Sequence, residues 1–459
     1  MVMRSRALAI SVVLCGLLWF SPAAFASAEK GESRPNLIIV LVDTLRADHL
    51  GYHGYEVPTS PRIDALAKRS AVFMNHKSHS SRTGPSVASV FTGMHPRTHG
   101  VVNPLTHFDA KGTLSSSQVT LAEILEGHGY RNFGFVGNPN VSPRFGFSQG
   151  FERYEFLTSG TASAITRRAD ETMKAMKSER APFMIYLHYM EPHSSYEAPA
   201  PYHEFFASPK YDGPVTGAHR QLDRIVAGKM RLSPPDLKQL VALYDQEIRY
   251  FDAHFENLLA AVERHGFDRR TIIVFISDHG EEFLDHGSVL HGYTLYEEQL
   301  HVPFFIYDPR RKDSVRIDAE TRHVDFLPTI LDLLDIETKR PVQGVSLVPW
   351  INGKTKASAS GPVFAQVTLR AVKTVDVVSF STDGWKLIVN KVPKPSYELF
   401  RLADDPGERK NLHKAQPAAG RRIGKQWLSF LESIPLAEIE SVELSEEEIE
   451  RLRSLGYMQ

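Results

Sequence analysis

The chain has 459 residues, enough for one large domain and a smaller companion. Hydrophobic residues make up 42% and charged residues 23%, an ordinary balance for a soluble globular protein, with no internal repeat or long low-complexity segment. The net charge of −1 leaves no basic field of the kind that marks a nucleic-acid binder.

The N-terminal stretch MVMRSRALAISVVLCGLLWFSPAAFASAEK begins with Arg4 and Arg6. It runs apolar from Ala7 to Phe20 and ends in Ala24-Phe25-Ala26, an A-x-A cleavage signal. That order predicts a secretory signal peptide over residues 1–26. A membrane anchor is the weaker reading, because the apolar run is short for a span and a cleavage site follows it. No lipoprotein box precedes Cys15, and no later apolar stretch reaches spanning length. The expectation is an exported protein, periplasmic or extracellular, with no stable membrane anchor after cleavage. Cys15 is the only cysteine and lies inside the signal, so the mature chain has no thiol for a disulfide, a nucleophile or a metal ligand.

PNLIIVLVD, from Pro35 to Asp43, is a continuous apolar run that predicts a buried strand ending at Asp43. In SSRTGPSVASVFTG (Ser80–Gly93), Pro85 suits the first position of a helix continued by Ala88 to Phe91. Thr83 then falls just outside that helix N-terminus. RNFGFVGN (Arg131–Asn138) and PFMIYLHYMEPH (Pro182–His193) predict further strands. Leu237, Leu240, Val241, Tyr244, Ile248, Phe251, Phe255, Leu258 and Val262 are spaced as one helical face and stop before Gly266. TIIVFISDHGEEF (Thr271–Phe283) repeats the strand pattern, with Asp278-His279-Gly280 at its C-terminal end. Strands alternating with helices predict an α/β fold, a mostly parallel sheet between helices.

The texture changes after about Gly353. NGKTKASASGP is a polar linker, and DGWKLIVNKVPKPSYELFRL reads as short strands with a hairpin. LSEEEIERLRSLGYM, with Ser445 and Glu448 as a capping box and Gly456 as a stop, predicts a closing helix. The expected domains are a catalytic domain over 34–353 and a smaller C-terminal α+β domain over 360–459.

Ligands of doubly covered sheets sit at the carboxyl ends of strands. Asp43, His193 and the Asp278-His279 pair all fall at such ends. Two carboxylates and an adjacent histidine make an oxygen and nitrogen set for a divalent cation. Thr83 before a helix lies where unpaired N–H groups favour an anion. A metal beside its hydroxyl would lower the pKa and make an alkoxide nucleophile. Taken alone, Thr83 and Ser86 read as helix caps, and an isolated Asp-His pair as a surface turn.

The blocks PNLIIVLVDTLRADHLGYHGY, TGPSVASVFTGMHPRTHGV, YLHYMEPHSSY, SDHGEEFLDHGSVLHGYTLYEEQLHVPFF, HVDFLPTILDLL and YELFRLADDPGERKNL stand in one order over most of the mature chain. With them the chain resembles the sulfatase family of the alkaline phosphatase superfamily. The resemblance implies an alkaline-phosphatase-like fold and roles by position. Asp43 matches a metal aspartate, and Asp278 and His279 match the later metal ligands. Thr83 falls where the family's C-x-P-S-R motif has its cysteine, with Pro85 and Ser86 matching the Pro and Ser. His193 and His291 match residues that contact the ester's anionic group or leaving oxygen. Set against those roles, His193 also reads as a solvated loop histidine and His291 as a hairpin histidine.

The departures from the pattern shape the expected activity. Family sulfatases convert the motif Cys, or sometimes Ser, to formylglycine; with Thr83 in place and Val87 at the motif arginine, no formylglycine is expected. Thr44 stands where many sulfatases have a second metal Asp. A threonine nucleophile resembles phosphodiesterases and envelope phosphoryl-head-group transferases of the superfamily. The implied protein is a metal-dependent hydrolase using Thr83, His193 and His291 on phosphate mono- or diesters. One divalent metal (calcium, manganese, magnesium or zinc) is expected on Asp43, Thr83, Asp278 and His279. The substrate would be a small-molecule or glycan ester. The alternatives are a true sulfatase, a transferase acting on envelope glycans, and a non-catalytic binder of sulfated or phosphorylated glycans.

Overall fold

The strand Asn36–Val42 is buried along its whole length because both of its faces are covered. Leu37, Ile39 and Leu41 point into one apolar cluster, and Ile38, Val40 and Val42 into another. This is a computed structural model, and it describes residues 34–101, 110–370, 372–438, 440–443 and 445–446. The expected signal peptide lies outside the described residues, as does nearly all of the expected closing helix.

An eight-stranded sheet forms the centre. Its order is Val315–Arg322, Ala71–Lys77, His301–Tyr307, Thr271–Ser277, Asn36–Val42, Phe183–Tyr189, Arg131–Val136 and Arg153–Phe156. All pairings are parallel except those of His301–Tyr307, which runs antiparallel to both neighbours. The fold is thus α/β with a mostly parallel sheet between helices. The long helix Pro234–Arg264 starts with a capping box between Ser233 and Asp236 and buries Leu240, Tyr244, Ile248, Phe251, Phe255 and Leu258 against one face. The helix Thr83–Thr92 is buried at every residue and packs Val87, Ala88, Val90 and Phe91 against the other.

That second helix begins earlier than Pro85. Arg82 is extended (φ −140°, ψ 139°) and its carbonyl accepts the Ser86 N–H at 3.2 Å, so Thr83 is the first helical residue. Pro85 is tolerated at the third position because the first N–H groups of a helix have no intrahelical acceptor. Ser86 is no cap: its hydroxyl pairs with Ser78 Oγ at 2.7 Å and donates to the Ser80 carbonyl at 3.0 Å.

A second, four-stranded antiparallel sheet runs Val363–Arg370, Thr374–Thr382, Trp385–Val392 and Ser396–Arg401. The helix Pro417–Ser433 packs on it through Ile423, in a cluster with Phe364, Phe380 and Leu399. The described residues from Arg34 onward form one compact unit that holds both sheets. Among the described residues no helix is long and apolar enough to cross a membrane.

Candidate active site

Strand register assembles the site. Leu41 lies beside His188, and Val42 beside Ser277. Asp43 and Asp278, each one step further on, therefore leave neighbouring parallel strands at the same level. The period-two alternation puts Asp43, Asp278 and His188 on the face that carries Leu41, Ile276 and Tyr186. The helix Thr83–Thr92 covers that same face, and its first residue reaches this rim.

The side chains meet there. Thr83 Oγ1 stands 3.4 Å from His279 Nε2, and Asn138 Nδ2 donates to Thr83 Oγ1 at 3.3 Å and to Asp43 Oδ2 at 2.5 Å. His188 Nε2 lies 3.1 Å from Asp43 Oδ2, and Tyr186 holds the other ring nitrogen at 2.8 Å. Asp278 Oδ1 accepts the backbone N–H groups of Thr44 (3.1 Å) and His279 (2.8 Å). His279 donates from Nδ1 to the Gly280 carbonyl at 3.0 Å, which leaves Nε2 with a lone pair toward Thr83. Asp43, Asp278, His188 and His279 are fully buried, and Thr83 is nearly so.

Asp43 Oδ1 and Asp278 Oδ2 are buried without any hydrogen-bond partner. Buried carboxylate oxygens are expensive to leave unpaired, and a bound cation is what satisfies them. Among the described residues, Asp43, His188 and Asp278 are the group of three whose ligand atoms fall within 4.8 Å of one another. His279 stands next to this group, 3.4 Å from Asp278 Oδ2. The donor set, two carboxylates with imidazole nitrogens, fits a divalent metal.

His193 and His291 form the adjoining wall, with ring centroids 5.0 Å apart, and the His291 ring lies 4.5 Å from that of His279. His291 Nδ1 pairs with Glu281 Oε1 at 3.1 Å, and Tyr196 donates to Glu281 Oε2 at 3.0 Å. The structure thus brings all six expected residues (Asp43, Thr83, His193, Asp278, His279 and His291) to one rim of the sheet. Thr44 is present too, in a left-handed conformation (φ 55°) that is rare for a β-branched residue, with its hydroxyl buried and unpartnered.

The electrostatics follow from burial. Burial pushes the Asp43 carboxyl up, but the His188 hydrogen bond and the His193, His188 and His279 charges outweigh it and hold it down at about 2. Asp278 goes the other way, pushed well up by burial and by Asp43 beside it. Burial lowers His279 and His193 to about 4, and burial with the His279 charge beside it lowers His291 well below the usual imidazole range. Two carboxyls that share one buried site repel each other, so ionising the first raises the second.

Four residues of the site escaped the sequence reading: His188, Asn138, Glu281 and Arg82. His188 and Asn138 lie inside the quoted strand segments, but only register shows that they face Asp43. Arg82 precedes the helix, and its side chain packs on Gly292, just after the hairpin of Glu282–Phe283 and Val289–Leu290; a Cβ on Gly292 would lie 2.6 Å from Arg82 Cδ. Its charge adds to the burial that lowers His279 and His291, and opposes the burial that raises Tyr293. Val87, at the motif arginine position, is fully buried in the core.

The family model described as Sulfatase matches residues 35–336, and that of the N-sulphoglucosamine sulphohydrolase C-terminal region matches residues 287–426. The chain belongs to the sulfatase family, hydrolases of the alkaline phosphatase-like superfamily. An arylsulfatase of Clostridium perfringens is 24% identical over 89% of this chain and 95% of its own length. The solved structure of BT4656 with its substrate D-glucosamine-2-N,6-O-disulfate superposes with a TM-score of 0.71 at 18% identity, covering 87% of this chain and 98% of that one. The phosphonate monoester hydrolase of Agrobacterium radiobacter superposes with a TM-score of 0.70 at 20% identity, covering 87% of this chain and 96% of its own. These likenesses establish a shared fold.

Proposed function

We propose that the protein is an exported, metal-dependent ester hydrolase whose nucleophile is the unmodified hydroxyl of Thr83, acting on phosphate mono- or diesters. The observation that carries the reading is the position of Thr83 Oγ1, 3.4 Å from His279 Nε2 and held by Asn138 at the first turn of a helix. Relatives named for sulfate and for phosphonate ester hydrolysis share the fold, and the unmodified threonine at position 83 is what favours phosphate esters in this chain. A threonine carbon bearing a methyl group cannot become formylglycine, whereas its oxygen can attack phosphorus directly.

Asp43, Asp278 and His279, with His188 beside Asp43, are the residues that would hold the metal. When bound, a divalent ion supplies Lewis-acid chemistry that lowers the pKa of a neighbouring hydroxyl and offsets anionic charge. The chain's own groups do the rest. His279 Nε2 would be taken by the metal, so the Thr83 proton would pass to solvent as the hydroxyl pKa falls. Asn138 orients the hydroxyl. The first N–H groups of the helix Thr83–Thr92 and the Arg82 guanidinium face the anionic ester, taking the place of the family's missing motif arginine. His193, with its Nδ1–H given to the Ser194 carbonyl, borders the leaving oxygen, which takes its proton from water, and Glu281 keeps the His291 ring turned toward the transferred group.

A panel of aryl phosphate, phosphodiester, phosphonate and sulfate esters, assayed with and without added divalent metal, tests the reading. Metal-dependent turnover of phosphate esters with a phosphorylated Thr83 trapped by acid quench is the expected result. Turnover restricted to sulfate esters would replace this reading with that of a true sulfatase lacking formylglycine.

A further inference from the structure

A cavity of 710 Å³ opens beside His193, on the side where the leaving group must lie if His193 borders the leaving oxygen. Its polar lining is unexpectedly acidic for an enzyme of anionic esters. Glu191, Glu197 and Glu247 all border it, with Tyr250 alongside. Glu247 is only 4% exposed. Glu191 Oε1 accepts the Ala162 N–H at 2.9 Å, but its Oε2 is buried with no hydrogen-bond partner. The guanidinium on this wall, Arg220, is exposed at the mouth.

These carboxyls do not form a second metal cage. Among the described residues only the Asp43 group gathers three ligand atoms within 4.8 Å. Separated, desolvated carboxyls around an aromatic ring suit a larger cation, whose several N–H donors or spread charge can satisfy more than one of them. We propose that this cavity is the leaving-group subsite, and that Glu191 and Glu247 make it select esters whose alcohol carries an amino or ammonium group. The inference rests on the hydrolase reading for the placement of the leaving group, but binding of the cation does not depend on turnover.

The same geometry sets a pH dependence. Burial, and then the charges of Glu191 and Glu197, push Glu247 up to about 8, and burial pushes Glu191 up to about 7. The other titratable and charged groups facing them are Tyr189, Tyr250, His193, His219 and Arg220. A cation is held best when both carboxyls are ionised, so its affinity should rise between about pH 6 and pH 9.

The test uses the full-length Thr83→Ala protein with divalent metal, so that binding is read without turnover. Calorimetry compares 2-aminoethyl phosphate with its neutral isostere n-propyl phosphate, and the same pair as sulfate esters. The amino ester is expected to bind about tenfold more tightly within a series, with the preference growing toward high pH. Glu191→Gln and Glu247→Gln should each cut that preference to within about twofold; Glu197→Gln, at an exposed position, gives a partial loss in a variant that folds normally. Binding of sulfates but not phosphates, with the amino preference intact, would overturn the phosphate reading alone. Equal affinity within both series, or a preference unchanged in all three Gln variants, overturns the subsite.

Discussion

Thr83 is held at a helix start where its hydroxyl is worth little to stability. Arg82, not Thr83, is the N-cap, and the Thr83 oxygen makes only the long contacts to Asn138 and His279. Thr83→Ala should therefore cost about 1 kcal/mol or less in urea unfolding, while turnover falls by about three orders of magnitude or more. Thr83→Ser should keep part of the activity, because the oxygen survives. Full metal-dependent turnover in Thr83→Ala would place the nucleophile elsewhere. His188 offers a second test at this scale. It lies 3.1 Å from Asp43 Oδ2 and is fully buried, so His188→Gln should weaken divalent metal binding by about 10–100-fold. Metal titration that gives an unchanged affinity would remove His188 from the site. Thr83, Asp43 and His279 were legible in the sequence because each sits in a motif with neighbours of defined spacing. His188 was not, because a histidine near a strand end shows its facing only once the neighbouring strand is in register.

The turn after the strand Thr271–Ser277 aims Asp278 and His279, and Gly280 makes it possible. The Gly280 N–H donates to the Gln299 carbonyl at 2.8 Å, and a Cβ on Gly280 would run into the Glu298 carbonyl group. That group is backbone, so it cannot swing aside. Gly280→Ala should destabilise the protein by about 1–3 kcal/mol and weaken metal binding with it. Gly424, inside the helix Pro417–Ser433, has open space where a Cβ would stand. Gly424→Ala should instead stabilise by about 0.5–1 kcal/mol. Equal thermal unfolding temperatures for the two variants would contradict this account of the turn. The helix Pro234–Arg264 and the central strands were plain in the sequence, since helical spacing and continuous apolar runs are local patterns. The start of the helix at Thr83 rather than Pro85 was not, because Pro85 suits a first helical position and no local pattern shows that the Arg82 backbone is extended.

The two sheets are tied together by buried charge. Lys386, fully buried on the second sheet, places its ammonium 2.9 Å from both Glu297 and Glu408, and Lys77 of the central sheet also pairs with Glu297. Removing one member strands the others in an apolar setting. Lys386→Met should cost about 3–5 kcal/mol, and Lys386→Met combined with Glu408→Gln should cost less than the sum of the two single changes. Additive costs in urea unfolding would show that the charges act independently.

What the sequence determined by itself is what local pattern and motif can encode. Apolar runs marked the strands, a helical stripe marked the long helix, and Asp43, Thr83 and the Asp278-His279 pair marked the chemistry. The replacement of Cys by Thr83 and of the motif arginine by Val87 was also visible there, and it is the ground for setting formylglycine aside. The tertiary structure decided everything that depends on which strands are neighbours. Register put His188 and Asn138 on Asp43, the hairpin brought Arg82 and Glu281 to the histidines, and the fold of the 190–250 region gathered Glu191 and Glu247 around a cavity. Side-chain alternation along a strand is a local property, but the identity and level of the adjoining strand are set by packing across the whole sheet, so no single segment carries that information.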